Sequence, residues 1–483
     1  MGMKTAAEYI ESLADGRRLF ADGRQVAADE LCEHPQFATA IGAVANGYAH
    51  HHRPGVDAVG PYFTIPRTTA ELRATLDLLL GWDMVTVTTS QGLLALLTAA
   101  ARMRSALPEH AARIERYFAY CRDNDLRCVQ AITDAKGHRN LRPAKQDDPD
   151  LYTRIVERRP DGIVIRGAKL HISSAAIAHE LVVMPTKNMK PGEEEWAVAC
   201  GVSVNSPGVR IVNTSYAPRG RTDDFPISAE HNMPEGFIVF DDVFVPNERV
   251  FLAGETEHSA TFAHALGLWE RLGGTAHLAE QADIMVGLAE LIAEANGTER
   301  IAHIREKIAE MVIYATLLHA GLEAAITNAE VSPEGWLFPS ELYTNAAKHY
   351  GAAEYSRMIR HLHDIGGGAI VTAPAIADLA NDTVGADLAK YMRTPTASGE
   401  YRTRLFHAIR DLTADAYGGW NLVTMLQSGG GLYAQRLVAR KHYDMDTAKR
   451  MALLEARMPS DLIPPGVLDD RLAAEPMASQ AAR

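Results

Sequence analysis

The sequence predicts an α+β protein in which a helical region, a compact β region and a second helical region follow one another. Hydrophobic residues recur every three or four positions before about residue 130 and again after about residue 260. Short β-branched runs separated by Gly, Pro and Asn stand between them, as in GIVIRGAKLHIS and GVRIVNTSY. No strand–helix alternation, GxGxxG segment or Walker loop occurs, so a Rossmann or P-loop enzyme is not expected.

The first helical region is assigned to residues 1–135. The segment TTAELRATLDLLLGWD begins with a threonine cap and predicts a helix with Leu72, Leu76, Leu79 and Leu80 on one face. SQGLLALLTAAARMRSAL lacks a strong polar face, which predicts a buried helix. HAARIERYFAYCRDNDL continues the helical period.

The β region is assigned to residues 136–255. HELVVMPT and EWAVACGVSV predict further strands, and His179, at the start of one of them, is expected to be structural. GFIVFDDVFVPNERVFL is interpreted as the last strand with its exit loop, because Pro246 would end a strand.

The second helical region is assigned to residues 256–455. IAHIREKIAEMVIYATLLHAGLEAAI carries apolar residues from Ile301 to Ala315 at helical spacing, and EYRTRLFHAIRDLTADAYG does the same with Leu405, Ile409 and Leu412. Their many small residues indicate a bundle buried on several sides, including by other subunits. Residues 456–483 are rich in proline and predict an extended or disordered arm.

Composition limits the class of protein. The chain has 483 residues, a net charge of −13, 47% hydrophobic residues and no basic stripe, which argues against a nucleic-acid partner. No apolar run reaches the length of about 18 residues that a membrane span needs, and the N-terminus lacks the apolar core of a signal peptide. The four cysteines form no CxxC pair. We therefore expect a cytoplasmic protein with free thiols.

Two segments suggest a ligand. AITDAKGHRN places Lys136, His138 and Arg139 around Gly137, although the chain as a whole is acidic. A glycine turn with cations suits an anionic group, and the alternative is a solvated turn. MLQSGGGLYAQR contains consecutive glycines that allow close backbone approach to a ligand, although a tight turn between helices would also explain them.

Taken together, these motifs resemble the superfamily of 4-hydroxyphenylacetate 3-monooxygenase (HpaB-like) and 4-hydroxybutyryl-CoA dehydratase. The resemblance spans roughly residues 5–455 and is carried by AEYIESLADGRRLFADGRQV, AITDAKGHRNLRPAKQDDPDLYTRIVERRPDGIVIRGAKLHISSAAIAHELVVMPT, FDDVFVPNERVFL, GGGAIVTAP and SGGGLYAQRLVAR. It implies an acyl-CoA-dehydrogenase-like fold with an N-terminal helical domain, a middle β-barrel and a C-terminal helical bundle. It also implies FAD and, usually, a homotetramer.

The resemblance also implies which residues contact the flavin. They lie in the basic loop, after the second strand of the β region and in the glycine-rich segment near the C-terminus. For the two serines the alternative is that they satisfy backbone groups at the strand end. The implied cofactor-binding residues are Thr133, Lys136, Gly137, His138, Arg139, His171, Ser173, Ser174, Gln427, Gly429, Gly430 and Gly431.

The chain departs from both branches of this superfamily. The dehydratase branch holds a four-iron cluster with three cysteines and one histidine, but LLLGWDMVTVTTSQGLLALL has no cysteine. Leu268 and Thr275 stand near the other ligand positions, and the dehydratase's catalytic glutamate is replaced near Thr424. Because hydroxyl groups do not replace thiolates in such clusters, we expect no iron–sulfur centre and no metal.

The hydroxylase branch grips a phenolate with an Arg, a Tyr and a His. The matching positions here are Thr88 to Gln91 and Gln130. A substrate other than a simple phenol is the natural inference, and the candidate catalytic residues are Ser90, Gln130 and His277.

The resulting hypothesis is a two-component monooxygenase that uses FADH2 to hydroxylate a small aromatic or cyclic substrate. A separate flavin reductase is expected, because the chain has no nicotinamide-binding motif. One alternative is a cluster-free flavin enzyme acting on an acyl-CoA, with Glu270, Asp283 or His277 as base. Another is a paralogue that kept the fold and lost the chemistry.

Overall fold

The computed structural model describes residues 2–467 apart from residues 216, 217, 219 and 232. Of the predicted arm at residues 456–483, the part after residue 467 lies outside the described residues. Within the described part of the arm, residues Ser460–Leu462 form a short 3-10 turn.

Five helices dominate the N-terminal region. Thr68 caps the third of them with a reciprocal capping box to Glu71, which confirms the predicted threonine cap. Leu72, Leu76 and Leu79 are buried as predicted, but Leu80 is 39% exposed, because the helical period turns it away from the core. The helices are α1 Ala6–Ser12, α2 Ala38–His51, α3 Thr69–Gly81, α4 Met84–Met103 and α5 Pro108–Asp123.

Ten strands form two sheets. The six-stranded sheet has the order β2-β1-β8-β9-β5-β4, and the four-stranded sheet has the order β10-β7-β6-β3. The strands are β1 Leu19–Ala21, β2 Arg24–Gln25, β3 Cys128–Ala131, β4 Arg154–Arg159, β5 Gly162–Ser173, β6 Glu180–Val183, β7 Val198–Ser203, β8 Val209–Asn213, β9 Glu235–Pro246 and β10 Val250–Ala253.

The predicted β-barrel is not confirmed, because among the described residues the strands do not close into one. Ile165 of the first sheet and Val183 and Val202 of the second belong to one buried apolar cluster. The two sheets therefore share a core while each keeps its own edge strands.

Three strands come from the region that was expected to be mainly helical. β1 pairs in parallel with β8, β2 pairs with β1, and β3 pairs in parallel with β6. The strand β9 ends at Pro246 as predicted, but it is not the last strand, since β10 follows and pairs with β7. The short length of these strands gives them too little periodicity to be recognised.

The C-terminal region is a helical bundle centred on a long helix, α6. α6 packs against α4, α7 and α8, and a two-stranded hairpin joins α7 to α8. The elements are α6 Ser259–Asn296, α7 Ala302–Thr327, β11 Glu330–Val331, β12 Leu337–Phe338, α8 Glu341–Gly366, α9 Ala369–Thr372, α10 Ile376–Leu379, α11 Gly385–Met392, α12 Gly399–Thr413, α13 Ala416–Gln427, α14 Leu432–His442 and α15 Met445–Glu455.

Two helices are long and apolar enough to cross a membrane by length and composition alone, contrary to the expectation that no such run exists. In α4 the apolar window is 83% buried, which is typical of a core helix. In α7 it is only 33% buried, and Val312, Ile313 and Leu317 lie at the surface. Soluble proteins rarely expose large apolar patches, so this face of α7 is a candidate contact surface between subunits.

Candidate functional site

A buried ion pair holds the root of the basic loop that follows β3. Lys169 Nζ lies 2.7 Å from Asp134 Oδ1 and donates to the carbonyls of Ile132 and Met184. The Thr186 hydroxyl donates to the Asp134 carboxylate and accepts from the Asp134 backbone N–H. Because both charges are buried and fully partnered, they fix where the loop leaves the sheet.

The tip of this loop is a left-handed turn. Lys136 has φ +70° and Gly137 has φ +47°. A Cβ on Gly137 would lie 2.5 Å from Gln146 Oε1. Gln146 needs that place, because it accepts from the His138 N–H and donates to the His138 carbonyl, both at 3.0 Å. The glycine is therefore required for the turn to close.

The turn brings three basic side chains together. Burial, followed by the nearby Arg139 charge, lowers the pKa of Lys136. Burial also lowers the pKa of His171, and Lys136 and Arg139 lower it further. Arg139 is exposed and makes no hydrogen bond or ion pair within the described residues. The cationic cluster of Lys136, Arg139 and His171 thus combines two positive charges with an imidazole whose lowered pKa keeps it neutral near pH 7, and the two charges favour an anionic ligand.

The remaining residues predicted around this loop are held by the protein itself. The Thr133 carbonyl accepts from the Leu170 N–H at 2.7 Å. The Ser173 hydroxyl lies 3.0 Å from both carboxylate oxygens of Glu235, and the buried Ser174 donates to Met233 Sδ at 3.4 Å. Both serine hydroxyls therefore contact side chains and not the backbone groups at the strand end that the structural alternative assumed.

Glu235 links the β region to α13. Trp420 Nε1 donates to Glu235 Oε1 at 3.1 Å, beside the Ser173 contact. Burial raises the pKa of this carboxyl group, and the two hydrogen bonds oppose that rise. The sequence analysis missed Glu235, and no local pattern marks it.

The glycine turn at residues 428–431 connects α13 to α14. Gly429 and Gly430 have φ +69° and +84°. Arg271 Nε donates to the Gly429 carbonyl at 2.8 Å, and Arg271 Nη1 donates to Asn345 Oδ1 at 2.7 Å. α6 and α8 therefore hold this turn in place.

Two buried polar atoms at the turn lack a hydrogen-bond partner among the described residues. They are Ser428 Oγ and Gln435 Oε1, although Gln435 Nε2 donates to the Gly430 carbonyl at 2.9 Å. The predicted Gln427 ends α13, and a Cβ on Gly431 would lie 3.3 Å from its Oε1. These two atoms could hydrogen-bond a polar group that reaches the turn.

One face of α6 is open although the helix around it is buried. Glu270, Gly273, Gly274 and His277 are partly exposed, while Arg271, Leu272, Thr275 and Ala276 are buried. The four open residues are spaced three, four and seven positions apart, so they form one helical face. We call these four residues the α6 face.

Side chains from two other helices pack over the glycines of the α6 face. A Cβ on Gly273 would overlap Gln91 Nε2 of α4, and a Cβ on Gly274 would lie 3.0 Å from Lys348 Cε of α8. Gln91 Nε2 also donates to the Trp269 carbonyl at 3.3 Å. The two glycines thus allow Gln91 and Lys348 to pack close to α6, between a carboxyl group and an imidazole.

Titratable groups at the α6 face have unusual pKa values. Burial raises the pKa of Glu270 to about 7, against the opposing effects of Arg271, the Gly429 N–H and Lys348. Burial lowers the pKa of Lys348 to about 7, Arg271 lowers it further, and Glu270 opposes the shift. Lys348 is fully buried and donates to the Met425 carbonyl.

His277, at the other end of the α6 face, is close to neutral groups as well as charged ones. Burial lowers its pKa, Asn421 opposes this, and Lys348 and His231 add to it. Its Nδ1 lies 3.8 Å from Glu280 Oε2. The predicted catalytic residue His277 thus lies on the same helix face as Glu270, and Lys348 acts on both side chains.

Ser90 and Gln130 lie where α4 meets β3. Ser90 is 1% exposed. Gln130 donates to the Thr88 carbonyl, and a Cβ on Gly92 would overlap its side-chain amide. Since Gln91 is next to Gly92, α4 connects the strand that leads into the basic loop with the α6 face.

The sequence analysis considered Glu270 and His277 as bases without ranking them and overlooked Lys348. The spacing Glu-x-x-Gly-Gly-x-x-His on a helix could have identified the α6 face. No local signal marks Lys348, which reaches the α6 face only through the packing of α8 on α6. The structural role expected for His179 is confirmed, because its ring nitrogens bond the Arg127 N–H and the Ser12 hydroxyl.

Comparison with known proteins gives a consistent result over the whole chain. The family model described as 4-hydroxyphenylacetate 3-hydroxylase N terminal matches residues 5–252. The model described as 4-hydroxyphenylacetate 3-hydroxylase C terminal matches residues 259–453. Together the two models cover more than half of the chain.

Individual relatives come from both branches of the superfamily. The chain is 28% identical over 352 residues to 4-hydroxybutyryl-CoA dehydratase/vinylacetyl-CoA-Delta-isomerase of Clostridium aminobutyricum, covering 70% of this chain and 71% of the relative. It is 27% identical over 433 residues to the 4-hydroxyphenylacetate 3-monooxygenase oxygenase component of Thermus thermophilus, covering 86% and 89%. A solved structure of such an oxygenase component with FAD superposes with a TM-score of 0.83 at 25% identity, covering 94% and 99%.

Proposed function

We propose, from the premise that this chain belongs to the 4-hydroxyphenylacetate 3-hydroxylase family, that it is the oxygenase component of a two-component flavin monooxygenase. Its cofactor is FAD, supplied as FADH2. Its substrate is a small aromatic or cyclic compound. The observation that carries this proposal is the cationic cluster of Lys136, Arg139 and His171 in the loop where the family resemblance places the cofactor.

The side chains present suit a flavin. The basic loop offers the exposed guanidinium of Arg139, the half-buried ammonium of Lys136 and a glycine turn, which together match a diphosphate or an anionic reduced ring. The glycine turn offers Ser428 Oγ and Gln435 Oε1, two buried polar atoms that have no partner within the described residues. We place the flavin against both segments, with His138, His171 and the residues 427–431 as contacts.

A bound reduced flavin supplies the electrons that activate O2 and the route by which one oxygen atom reaches the substrate. The protein binds the substrate, orients it and keeps water away. The α6 face is the proposed substrate surface, because it is open, contains acid–base groups and lies against α4 beside Gln91. Ser90 and Gln130 position α4 on β3, and His277 lies at one end of the α6 face.

The proposed assembly has two further parts. A separate reductase supplies FADH2, since the relatives with this activity are oxygenase components. A homotetramer covers the apolar face of α7, where Val312, Ile313 and Leu317 are exposed, and the exposed apolar residues of α13 to α15. We place the protein in the cytoplasm, where its four free cysteines stay reduced.

The test uses the purified protein, FAD and a generic flavin reductase with NADH. Incubation with a panel of phenols and other small aromatic and cyclic compounds under labelled dioxygen should give a product that carries one labelled oxygen atom, detected by mass spectrometry. Omission of the protein is the control for chemistry of free reduced flavin. Consumption of NADH without any oxygenated product from a broad panel would contradict the proposed function.

A second candidate is a cluster-free flavin enzyme acting on an acyl-CoA. The likeness to the dehydratase of Clostridium aminobutyricum favours it. A cavity of about 270 Å³ at the ends of α4, α6 and α14 adds nothing to it, because Glu330 and Glu341 line the cavity beside Lys441 and Glu341 is paired with Arg102 at 2.9 Å. Addition of an acyl-CoA to the oxidised flavoprotein without O2 should bleach the flavin if this candidate is right and leave its colour unchanged otherwise.

A further inference from the structure

Two consecutive residues of α6 face the same residue of the glycine turn. Arg271 Nε donates to the Gly429 carbonyl at 2.8 Å, and the Glu270 carboxyl group faces the Gly429 N–H. An added Cβ on Gly429 would lie 2.9 Å from Arg271 Cγ and 3.5 Å from Glu270 Cβ, so the turn approaches both side chains closely. One side chain thus offers a donor and the other an acceptor to a single residue of the turn.

A buried chain of polar contacts holds Arg271 itself. Its Nη1 donates to Asn345 Oδ1 at 2.7 Å, and Asn345 Nδ2 donates to the Glu341 carbonyl at 2.7 Å. The Glu341 carboxylate forms an ion pair of 2.9 Å with Arg102 of α4. Arg271, Asn345 and Glu341 are all buried, which limits the freedom of the whole chain of contacts. The glycine turn is therefore tied to α8 and α4 through Arg271.

The glycine turn needs such support because consecutive glycines have more conformational freedom than other residues. Gly429 and Gly430 both take positive φ. A loose turn would present Ser428 Oγ and Gln435 Oε1, the proposed flavin partners, in many arrangements, and only a fraction of these would match the ligand. The apparent dissociation constant rises as that fraction falls.

We propose that Glu270 and Arg271 are positioning residues that hold the glycine turn in the arrangement that binds FAD, and that protonation of Glu270 loosens the turn. In this step the Glu270 carboxylate takes a proton from solvent and loses the negative charge that attracts the Gly429 N–H. No bond of the flavin forms or breaks. The inference rests on the proposed function, because it takes the glycine turn as a flavin contact, and it adds a control of that contact by pH.

Charged groups of two helices face Glu270. Burial raises its pKa to about 7, against the effects of Arg271 of its own helix, the Gly429 N–H and Lys348 of α8. α13 carries no charged residue, the charged residues of α14 are exposed, and α4 contributes the uncharged Gln91. The carboxyl group is therefore largely ionised above about pH 7, where the turn is held, and largely protonated below it, where the turn is loosened.

Lys348 changes its charge in the same pH range. Burial lowers its pKa to about 7, Arg271 adds to this shift, and Glu270 opposes it. Its Nζ donates to the Met425 carbonyl near the end of α13, and both the ammonium and the neutral amine have a hydrogen for this bond. The titration of Lys348 therefore shifts the pH at which Glu270 ionises and leaves α13 attached to α8.

The experiment measures the dissociation constant of oxidised FAD, whose own charge is constant near neutral pH, by flavin fluorescence at a series of pH values. For the parent we expect this constant to rise about 10-fold or more as the pH falls through about 7, as for loss of a charge-assisted hydrogen bond. We call this rise the pH limb. Any titrating group of the basic loop is also present in the variants, so a comparison with them isolates Glu270.

Two variants at residue 270 separate the charge from the acceptor. Glu270→Gln keeps an oxygen that accepts the Gly429 N–H but cannot ionise. The pH limb should therefore disappear, while binding stays between the low-pH and high-pH values of the parent. Glu270→Ala removes the acceptor and should bind FAD about as weakly at every pH as the parent does at low pH.

Variants of Arg271 and of a distant carboxylate complete the set. Arg271→Met removes the donor to the Gly429 carbonyl and the charge that lowers the pKa of Glu270. FAD binding should weaken about 10-fold or more, and the pH limb should move to higher pH. Arg271→Lys keeps a charge and a donor and should recover part of both effects, also if Arg271→Met does not fold. Glu290→Gln changes an exposed carboxylate of the same helix and should behave as the parent.

The outcomes separate this inference from the proposed function. If the parent binds FAD and oxygenates a substrate while Glu270→Gln keeps the pH limb, Glu270 does not control the turn and the proposed function stands. If the parent binds no FAD at any pH, the proposed function fails and this inference fails with it. Equal weakening in Glu270→Gln and Glu270→Ala would also overturn the inference, because it would indicate a packing defect and not the loss of an acceptor.

Discussion

The basic loop and the α6 face are built on opposite principles. The loop gathers the exposed Arg139 and the half-buried Lys136 from neighbouring positions in one short segment. The α6 face is assembled from three helices, with the fully buried Lys348 brought over Gly274 from about 70 residues away in the sequence. The loop is the proposed surface for an anion, whereas the α6 face is the proposed place of acid–base chemistry.

This contrast explains why one region is visible in the sequence and the other is not. A ligand-binding loop keeps its chemistry in consecutive residues, so a short motif reveals it. A site between helices depends on tertiary packing, and each of its residues occupies an ordinary helix position in the sequence. The two regions should also respond differently to substitution, pH and salt, and each response can be measured.

The largest effect is expected from a larger side chain on the α6 face. In Gly274→Val the Cβ would lie 3.0 Å from Lys348 Cε, and the added methyl groups would displace Lys348 and distort the α6 face, the proposed substrate surface. Misplacement of a substrate by about 1 Å can cost about 100-fold in rate, so we expect at least this loss of kcat/KM. FAD affinity should not change, because the basic loop is untouched.

The matched control for that variant is Gly287→Ala on the same helix. A Cβ at Gly287 meets nothing within 4 Å, so the helix should become more stable by about 1 kcal/mol or less with full activity. Full activity of Gly274→Val would show that the α6 face is not the substrate site.

The next largest effect is expected in the loop. In Arg139→Ala the loss of a charge-assisted hydrogen bond of about 1.5–3 kcal/mol should weaken FAD binding about 10- to 150-fold. Arg300→Ala is the control, since the Arg300 side chain is 94% exposed and lies far along the chain from the loop. Titration of each variant with FAD and FADH2 gives the affinities.

Gly430→Val tests the second flavin contact in the same titration. At Gly430 the nearest atoms to an added Cβ lie 3.4 Å away, so the main obstacle is the φ of +84° and not a clash. A left-handed conformation costs a branched residue about 1–2 kcal/mol, which should loosen the turn and weaken binding about 5- to 30-fold. Unchanged affinity in both Arg139→Ala and Gly430→Val would mean that the flavin site is wrongly placed.

Much of the fold could be predicted from the sequence because long amphipathic helices carry their own signal. α3, α4 and α12 appear where the apolar period places them, and Thr68 caps α3 as expected. The short strands β1 and β3 were missed because they are defined by their partners β8 and β6 and not by their own pattern.

The site shows the same limit. Lys136, Arg139 and His171 were recognisable from motifs, and the structure brings them together. Glu235 and Lys348 were not recognisable, because a buried charged residue in a helix or strand resembles an exposed one until its neighbours are known. Leu80 was placed in the core for a related reason: hydrophobic periodicity tells which face a residue shares but not where that face ends.

A smaller effect concerns stability and pH. Lys348 has a folded pKa of about 7, below its ordinary value of 10.5, so the unfolded chain binds more protons between these values. Its burial therefore destabilises the fold fully below about pH 7, and the cost falls as pH rises, by at most about 1.4 kcal/mol per pH unit. Lys348→Met should be more stable than the parent near neutral pH, and the gain should shrink toward about pH 10.

Urea unfolding of the two proteins at about pH 7 and about pH 9 measures this difference. Glu270 acts in the opposite direction: its folded pKa of about 7 lies above its ordinary 4.5, so it favours the folded state at low pH and this contribution is lost by about pH 7. The comparison with Lys348→Met is therefore made above pH 7, where Glu270 contributes no slope. A constant difference between the two proteins across this range would contradict a buried, neutralised Lys348.

The smallest effect is expected from salt, and it separates the two regions most directly. Arg139 is exposed, so its attraction to a phosphate is screened once the Debye length falls from about 10 Å at 0.1 M salt toward about 3 Å at 1 M. The dissociation constant for FAD should therefore rise a few-fold over this range, and this rise should be smaller in Arg139→Ala. Glu270 is only partly exposed and Lys348 is fully buried, so a pH dependence near 7 that comes from these two groups should shift less with salt. Salt-insensitive FAD binding together with a salt-dependent pH limb would reverse the comparison and place the anion site, not the acid–base site, on the α6 face.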